Sequence, residues 1–293
     1  MNNILLSAAA EVSSKVGAQA ILLYADLVKE VAPLKALAKE IALVLVTRGE
    51  RSFKEMQRSF EQVVRVPQID LTRMGQVKLG VMMALSAGKV QMGDRIVCLS
   101  GIRRFGFLDS IVVLDIGKEF EVLTSAELSD LTREIRYDLF EAILNLALEL
   151  AYQGRAGKMV GALFVLGDHE RVLQLSRQMI INPFHGYPEE ERNVLDPKLK
   201  ETLKEFAAID GAFIIREDGV ILSAGRHLDA AFEGRDLLHG LGSRHLAAAG
   251  ITAVTQALAV VVSESSGAVR IFKGGETILE LEKAVHRERE ESV

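Results

Sequence analysis

Short apolar runs alternate with segments of helical spacing along the first 120 residues of the chain. The segments between the runs, such as "DLVKEVAPLKALAKE" at 26–40, repeat apolar residues at intervals of three and four, which is typical of amphipathic helices. This alternation predicts a doubly wound, mainly parallel sheet of the α/β class. The apolar runs themselves predict strands at 20–25, 41–47, 62–67, 94–101 and 110–116.

A different pattern follows in the second half of the chain. Leucines and isoleucines at intervals of three and four between 125 and 153 predict one long amphipathic helix, or two helices joined end to end. Asp218-Gly219 and Ser266-Gly267 stand where hairpin turns are expected, so the strands around them predict a mixed sheet flanked by helices. The predicted strands lie at 160–167, 211–216, 219–224, 257–263 and 268–273.

The change of pattern divides the chain into two predicted domains, 1–122 and 123–293. A length of 293 residues suits two ordinary domains, and 49% apolar with 26% charged residues is typical of a soluble α/β protein. The net charge of −5, with no cluster of lysine or arginine, argues against binding to nucleic acid through a broad basic surface.

One uncharged stretch reaches the length at which a membrane span must be considered. Residues 246–263 run for 18 positions without a charge, but Gly250, Thr252, Thr255 and Gln256 interrupt them. A short helix, a turn and a buried strand explain this stretch better, so no membrane segment is predicted. A single cysteine, Cys98, can form no internal disulfide, and we expect a reducing, cytoplasmic location.

The string "HGLGSRHLAAAGIT" at 239–252 predicts an anion site. Gly240 and Gly242 allow a tight turn, and Ser243 is a good N-cap for a helix that starts at Arg244. A helix N-terminus favours an anion, and Arg244 and His245 add donors beside it, enough to hold a triphosphate. The alternative is that Arg244 pairs with a nearby carboxylate and His245 packs in a polar core.

Two further strings carry candidate chemistry. In "IDGAFII", Asp210 stands between a helix and a strand, where a carboxylate can hold a divalent cation or accept a proton; the string is also a simple turn. In "VVVSESSG", Ser263, Glu264 and Ser265 stand at the end of a strand, an arrangement that a solvated strand end produces equally well.

The strings "DGAFIIREDGVILSAGRHL", "GLGSRHLAAAGIT" and "VVVSESSGAVRIFKGG", in that order, resemble the diadenylate cyclase domain family over residues 155–281. Near the end of the first sheet, "AGKVQMGDRIVCLSG" is similar to the C-terminal domain of pyruvate kinase. Together these two resemblances suggest the archaeal type of diadenylate cyclase. The resemblance implies a nucleotidyltransferase that joins two ATP molecules into cyclic di-AMP and releases two pyrophosphates.

The resemblance also assigns roles to particular residues. It makes Asp210 the catalytic residue, which activates the ribose 3′-hydroxyl and binds a divalent metal, Mn²⁺ or Mg²⁺. Glu264 is a second candidate metal ligand. The nucleotide-binding residues that it implies, with Leu228 against adenine, are Gly211, Ala212, Leu228, Gly242, Ser243, Arg244, His245, Ser263 and Glu264.

Two positions depart from the family pattern. Leu246 stands where many members have arginine, so one phosphate contact is missing or is made by another cation. Arg226 and Lys273 are the candidates for that contact. Ser265 stands where the family has a second acidic residue, which leaves the metal ligands beyond Asp210 open.

Ring closure needs two nucleotides in opposed orientation, which implies a homo-oligomer with two such domains face to face. An alternative from another class is a module that senses ATP or a cyclic dinucleotide without catalysis. A protein that scans DNA is a weaker alternative, because the chain ends soon after the site.

Overall fold

Two β-sheets with helices packed against them make up the described part of the chain. The structure is a computed structural model that describes residues 1–118, 135–154, 158–230 and 242–282. Within residues 1–118, the strands form a five-stranded sheet in the order β3-β2-β1-β4-β5. Its elements are α1 (Asn2–Val16), β1 (Ala20–Tyr24), α2 (Val31–Leu37), β2 (Ala42–Arg48), α3 (Glu50–Gln57), β3 (Val63–Val66), α4 (Arg73–Ser86), β4 (Arg95–Ser100) and β5 (Ser110–Asp115).

The first sheet is mainly parallel, as the sequence predicts. β1 pairs in parallel with both β2 and β4, β2 pairs in parallel with β3, and only β5 at the edge runs antiparallel to its neighbour. Every residue of β1 is buried, which explains why this strand is an unbroken apolar run rather than an alternating one. The predicted α/β class and the strands of this region are confirmed.

The second sheet is mixed, which is also confirmed. Its strands lie in the order β12-β11-β10-β6-β8-β9-β7; β6 pairs in parallel with β8, and the other pairs are antiparallel. Its elements are α5 (Tyr137–Gln153), β6 (Ala162–Leu166), α6 (His169–Gln174), β7 (Ser176–Gln178), α7 (Lys200–Phe206), β8 (Ala212–Ile215), β9 (Ile221–Leu228), α8 (Ser243–Val254), β10 (Leu258–Val262), β11 (Val269–Lys273) and β12 (Glu276–Leu281).

Both predicted hairpin turns are present. Gly219, at φ +94°, lies between β8 and β9, and Gly267, at φ +65°, lies between β10 and β11. Only glycine adopts such a backbone without strain, so each turn depends on its glycine. The sequence analysis missed β7, which is only three residues long, and β12, which follows the turn at Gly274-Gly275.

The predicted long helix begins later than expected. The structure starts α5 at Tyr137, because Arg136 has an extended backbone at φ −60° and ψ 139°. A single unbroken helix over 125–153 is therefore wrong at Arg136. Residues 125–134, and the predicted domain boundary between 122 and 123, lie outside the described residues, so the boundary stays a prediction.

The uncharged stretch at 246–263 is divided as predicted, since α8 ends at Val254 and β10 begins at Leu258. Among the described residues, no helix has the length and apolar character that crossing a bilayer requires.

One apolar cluster contains side chains from both sheets, so the two halves of the chain share a core. In the second sheet, Phe164 on β6 and Phe213 on β8 lie 5.1 Å apart between ring centroids, and Phe184 approaches Phe213 at 6.3 Å. These buried rings pack β6 against β8, two of the strands whose ends carry the candidate site.

We expect Phe213→Ala to lower the free energy of unfolding by about 3–5 kcal/mol, because it leaves a cavity beside Phe164 and Phe184. Denaturant unfolding followed by circular dichroism measures the change. The control is Ile181→Ala, since the Ile181 side chain is 92% exposed and its removal leaves no cavity. A loss of similar size in both variants would contradict the assignment of Phe213 to the core.

Candidate functional site

Three segments that are distant in sequence meet at one edge of the second sheet. β6 pairs in parallel with β8 and antiparallel with β10, so the starts of β6 and β8 lie beside the end of β10. The N-terminus of α8 lies at the same edge. The start of α8 and the end of β10 form an open cavity of about 530 Å³, lined by Gly242, Ser243, Arg244, His245, Val262, Ser263, Glu264 and Ser265. Asp210 is not among these lining residues and reaches the site through its contact with Arg244.

The helix at this edge starts one residue earlier than predicted. Gly242 is the N-cap, its backbone is extended at ψ 171°, and its carbonyl accepts a hydrogen bond from the His245 N–H at 3.0 Å. Ser243 is the first helical residue, and its side chain makes no capping hydrogen bond, so the prediction of Ser243 as N-cap is wrong. The N–H groups of a first helical turn have no intrahelical acceptor, which suits them to bind an anion.

Arg244 lies between the two candidate carboxylates. Its Nη2 is 3.3 Å from Asp210 Oδ1, and its Nη1 is 3.3 Å from Glu264 Oε2. The Arg244 side chain is 24% exposed, whereas those of Asp210 and Glu264 are 84% and 62% exposed. Long ion pairs to such exposed partners contribute between about 0 and 1 kcal/mol, so a phosphate can replace the carboxylates around Arg244.

His245 lies deeper in the site, and only 4% of the residue is exposed. Its Nε2 is 3.1 Å from Nη1 of Arg270 on β11. A guanidinium only donates hydrogen bonds, so Nε2 accepts and the ring proton is assigned to Nδ1, which has no hydrogen-bond partner. Burial, together with the Arg270 charge, lowers the pKa of His245 from its ordinary value.

Ser263 is buried at the end of β10, where it shapes the turn. Its N–H donates to the Ala268 carbonyl at 2.9 Å, and its Oγ is 3.3 Å from Oγ of Ser265 and 3.4 Å from the N–H of Ser266. The turn directs Glu264 and Ser265 toward the cavity. Ser263 therefore has a structural role here, whether or not it also contacts a ligand.

Gly211 follows Asp210 for a steric reason. Its φ is +100°, and a Cβ at this position would lie 2.8 Å from the backbone of Gly225 and of Arg226. Only glycine fits such a position, which allows Asp210 to precede β8 directly. Ala212 and Leu228 are buried in a small apolar cluster beneath α8, so the predicted contact of Leu228 with adenine stays a prediction.

Neither cation that the sequence analysis offered in place of the missing arginine lines the cavity. Arg226 donates hydrogen bonds to the carbonyls of Leu173 and Ser176 at 3.2 and 2.7 Å. Lys273 is buried at the far end of β10, where its Nζ donates to the Gln256 carbonyl. Both assignments are wrong, because these side chains are already committed elsewhere in the sheet.

The oxygen ligands at the site suit a divalent metal. Among the described residues, no group of three or more metal-binding side chains comes together. Mg²⁺ and similar cations are commonly held by one or two carboxylates, with water and substrate phosphates as the other ligands. The exposed carboxylates of Asp210 and Glu264 fit that arrangement.

The sequence analysis missed two residues of this region. Arg270 lies between the apolar residues Val269 and Ile271 on β11. Its side chain is therefore on the opposite face of the sheet from theirs, the face that α8 covers. Gly161 precedes β6, directly against the Arg244 guanidinium. No local motif marks Gly161, because its neighbour Arg244 is distant in sequence.

Comparisons with known proteins cover both halves of the chain. Residues 149–277 match the family described as DisA bacterial checkpoint controller nucleotide-binding, and residues 1–124 match the probable sensor domain DacZ_P. A diadenylate cyclase of Methanocaldococcus jannaschii is 33% identical over 246 residues, which cover 83% of this chain and 78% of the relative. The chain belongs to the diadenylate cyclase family. Its members are nucleotidyltransferases, so the predicted enzyme class is confirmed.

A second curated relative agrees with this membership of the diadenylate cyclase family, and one solved structure is similar over part of the chain. A diadenylate cyclase of Haloferax volcanii is 39% identical over 212 residues, covering 71% of this chain and 75% of the relative. A crystal structure of DacA from Staphylococcus aureus is 26% identical with a TM-score of 0.32, over 47% of this chain and 83% of that one. All the candidate site residues lie within the range matched to the nucleotide-binding family.

We expect Arg270→Ala to raise the pKa of His245, because it removes a positive charge beside the ring and leaves Glu280 unopposed. An NMR titration of the imidazole measures this pKa. Arg177→Ala is the control, since Arg177 is exposed on β7 and pairs with Asp229.

The lowered pKa also affects folding. The unfolded chain takes up a proton near its ordinary pKa of 6.5, whereas the folded chain takes it up only at lower pH, so His245 makes stability decrease below pH 6.5. An unchanged His245 pKa in the Arg270→Ala variant would show that burial alone keeps the ring neutral.

Proposed function

We propose that this chain condenses two ATP molecules into cyclic di-AMP and releases two pyrophosphates. The observation that carries the proposal is the position of Arg244 at the start of α8, between Asp210 and Glu264 on the edge of a cavity of about 530 Å³. Arg244, a cation that can bind phosphates, thus lies beside two carboxylates that can bind a metal ion or accept the proton of a hydroxyl. Membership of the diadenylate cyclase family supports the same activity.

In this proposal the phosphates of one ATP bind at the N-terminus of α8. Arg244 releases its two weak carboxylate contacts and donates to phosphate oxygens, together with the hydroxyl of Ser243 and the first N–H groups of the helix. The His245 ring, neutral and with its proton assigned to Nδ1, lines the same cavity. Gly211 and Ala212, next to Asp210, are the residues that the sequence assigns to the nucleoside.

Chemistry then follows from the carboxylates. The 3′-hydroxyl of one ATP attacks the α-phosphorus of the other; an O–P bond forms, pyrophosphate leaves, and Asp210 accepts the hydroxyl proton. Arg244 stabilises the charge on the leaving pyrophosphate. Asp210 and Glu264 would hold Mg²⁺ or Mn²⁺, which when bound neutralises phosphate charge and makes the hydroxyl more acidic.

Each cavity has a volume suited to one nucleotide. A ring of two nucleotides needs two opposed sites, so we propose that two protomers face each other, each activating the hydroxyl of its own ATP. The cytoplasmic location and the absence of a nucleic-acid partner stay predictions from the sequence.

A non-catalytic module that senses ATP or a cyclic dinucleotide is the second candidate. It is favoured by Leu246 and Ser265, which replace charged residues of the family pattern at this site. Leu246 is exposed beside Arg244, so a positive charge for phosphate is missing there. Ser265 lines the cavity, so a carboxylate for a metal is missing at that position.

Incubation of the purified chain with ATP and Mg²⁺ or Mn²⁺ separates the two candidates, with products identified by mass. We expect cyclic di-AMP and pyrophosphate. 3′-Deoxy-ATP is the matched control, because it keeps the phosphates but lacks the attacking hydroxyl. Binding of ATP without any product, with either metal, would favour the sensing module.

We expect Asp210→Asn to abolish product formation and to change ATP affinity by less than about tenfold, or ~1.4 kcal/mol, since the phosphate contacts remain. Product mass and calorimetric titration measure the two effects. Asp138→Asn is the control, because Asp138 is an exposed residue of α5 that pairs with Arg136 outside the cavity. Turnover retained in Asp210→Asn would place the activating carboxylate elsewhere.

The face-to-face arrangement predicts a dependence on concentration. Turnover per protomer should fall on dilution at saturating ATP and metal, because a single protomer cannot close the ring. Excess Asp210→Asn protein should depress wild-type turnover, since a mixed pair activates only one hydroxyl. Constant specific activity down to a concentration at which sedimentation shows monomers would contradict the arrangement.

A further inference from the structure

Gly161 occupies the position directly against the guanidinium of Arg244. It precedes β6, and the register that pairs Ala162 with Val262 brings it level with Ser263, which lines the cavity. A Cβ at Gly161 would lie 2.7 Å from Nη1 and 3.2 Å from Cζ of Arg244. Real side chains do not approach a Cβ at 2.7 Å, so any residue other than glycine would displace the guanidinium.

The other contacts of Arg244 do not fix its position. Its two ion pairs are 3.3 Å long and reach exposed carboxylates, and its buried Nε has no hydrogen-bond partner. Ion pairs of this kind hold a side chain weakly. The space left by the missing side chain at Gly161 therefore permits the guanidinium to lie where it does.

We infer that Gly161 is a positioning residue. Because it has no side chain, the Arg244 guanidinium can lie where it meets a phosphate group. The inference rests on the proposed function only in taking ATP as the ligand. Because Gly161 acts through Arg244, the effect of changing Gly161 on nucleotide affinity must disappear when Arg244 is replaced.

A purely structural role for Gly161 is the competing explanation, because the added Cβ would also lie 3.1 Å from the Cβ of Glu264. Two features argue against it. Gly161 is not among the glycines with positive φ, so alanine causes no backbone strain. The nearest atom is the far end of a flexible side chain, which can move without unfolding the strand.

The test is a double-mutant cycle with Gly161→Ala and Arg244→Ala. Affinity is measured by calorimetry with Mg²⁺ and 3′-deoxy-ATP, which cannot react, and the melting temperature of each variant is recorded. We expect Arg244→Ala to weaken binding about 10- to 150-fold, the loss of a charge-assisted hydrogen bond. Gly161→Ala should weaken it about tenfold or more, with a nearly unchanged melting temperature.

The double variant decides the inference. If Gly161 acts through Arg244, the double variant binds no more weakly than Arg244→Ala alone. Losses that add, or unchanged affinity in Gly161→Ala, would overturn the inference. So would an equal fall in melting temperature caused by Gly161→Ala in both backgrounds, because that result indicates packing.

Gly80→Ala is the matched control. Gly80 is buried on α4, and its added Cβ would meet the end of a flexible side chain, Leu22 Cδ2, at 3.1 Å. It should leave the affinity for 3′-deoxy-ATP unchanged.

Failure of the proposed function is visible separately. If the wild-type chain binds 3′-deoxy-ATP but forms no cyclic di-AMP from ATP, the proposed function is wrong. The double-mutant cycle, which measures affinity alone, still decides the role of Gly161. The same cycle is measured with pyrophosphate alone. A wild-type chain that binds neither probe would overturn the inference, since Arg244 would then have no phosphate to meet.

Discussion

The pairing of β6 with β8 on one side and β10 on the other is the constraint on which the candidate site depends. Because β6 runs parallel to β8 and antiparallel to β10, Asp210 before β8 lies near Glu264 after β10. Buried aromatic rings at Phe164 and Phe213 hold the strands in this register. A slip of one residue would turn each side chain to the other face of the sheet and separate the site.

The electrostatics of the site follow from that geometry. In the structure, one guanidinium faces two carboxylates that are mostly in solvent, so the group keeps a net negative charge and holds no strong ion pair. Because each contact is weak, little free energy opposes a transfer of Arg244 to a phosphate. The same transfer would leave both carboxylates available to a metal. His245 contributes differently, because burial beside Arg270 keeps it neutral and prevents it from adding another positive charge.

The sequence predicted those features that depend on neighbouring residues. Unbroken apolar runs marked the buried strands, and the glycines at 219 and 267 marked the hairpins, because local backbone preferences determine both. The three motifs that form the site were also recognisable. Contacts between distant segments were not predictable: Gly161 meets Arg244, Arg270 meets His245, and Lys273 points away, each through packing that no local pattern records. The N-cap of α8 at Gly242 likewise depended on the local backbone.

The N-terminal region is joined to the site by packing as well as by the chain. Arg65 on β3 donates to Glu141 on α5, and side chains of both sheets belong to one apolar cluster. From its contact with Arg65, α5 extends to Gln153 and packs against the strands of the second sheet through the shared apolar cluster. Because packed interiors deform little, α5 cannot shift against the first sheet without straining this connection. The region matched to a probable sensor domain therefore contacts α5, a helix whose side chains share an apolar cluster with the strands that carry the candidate site.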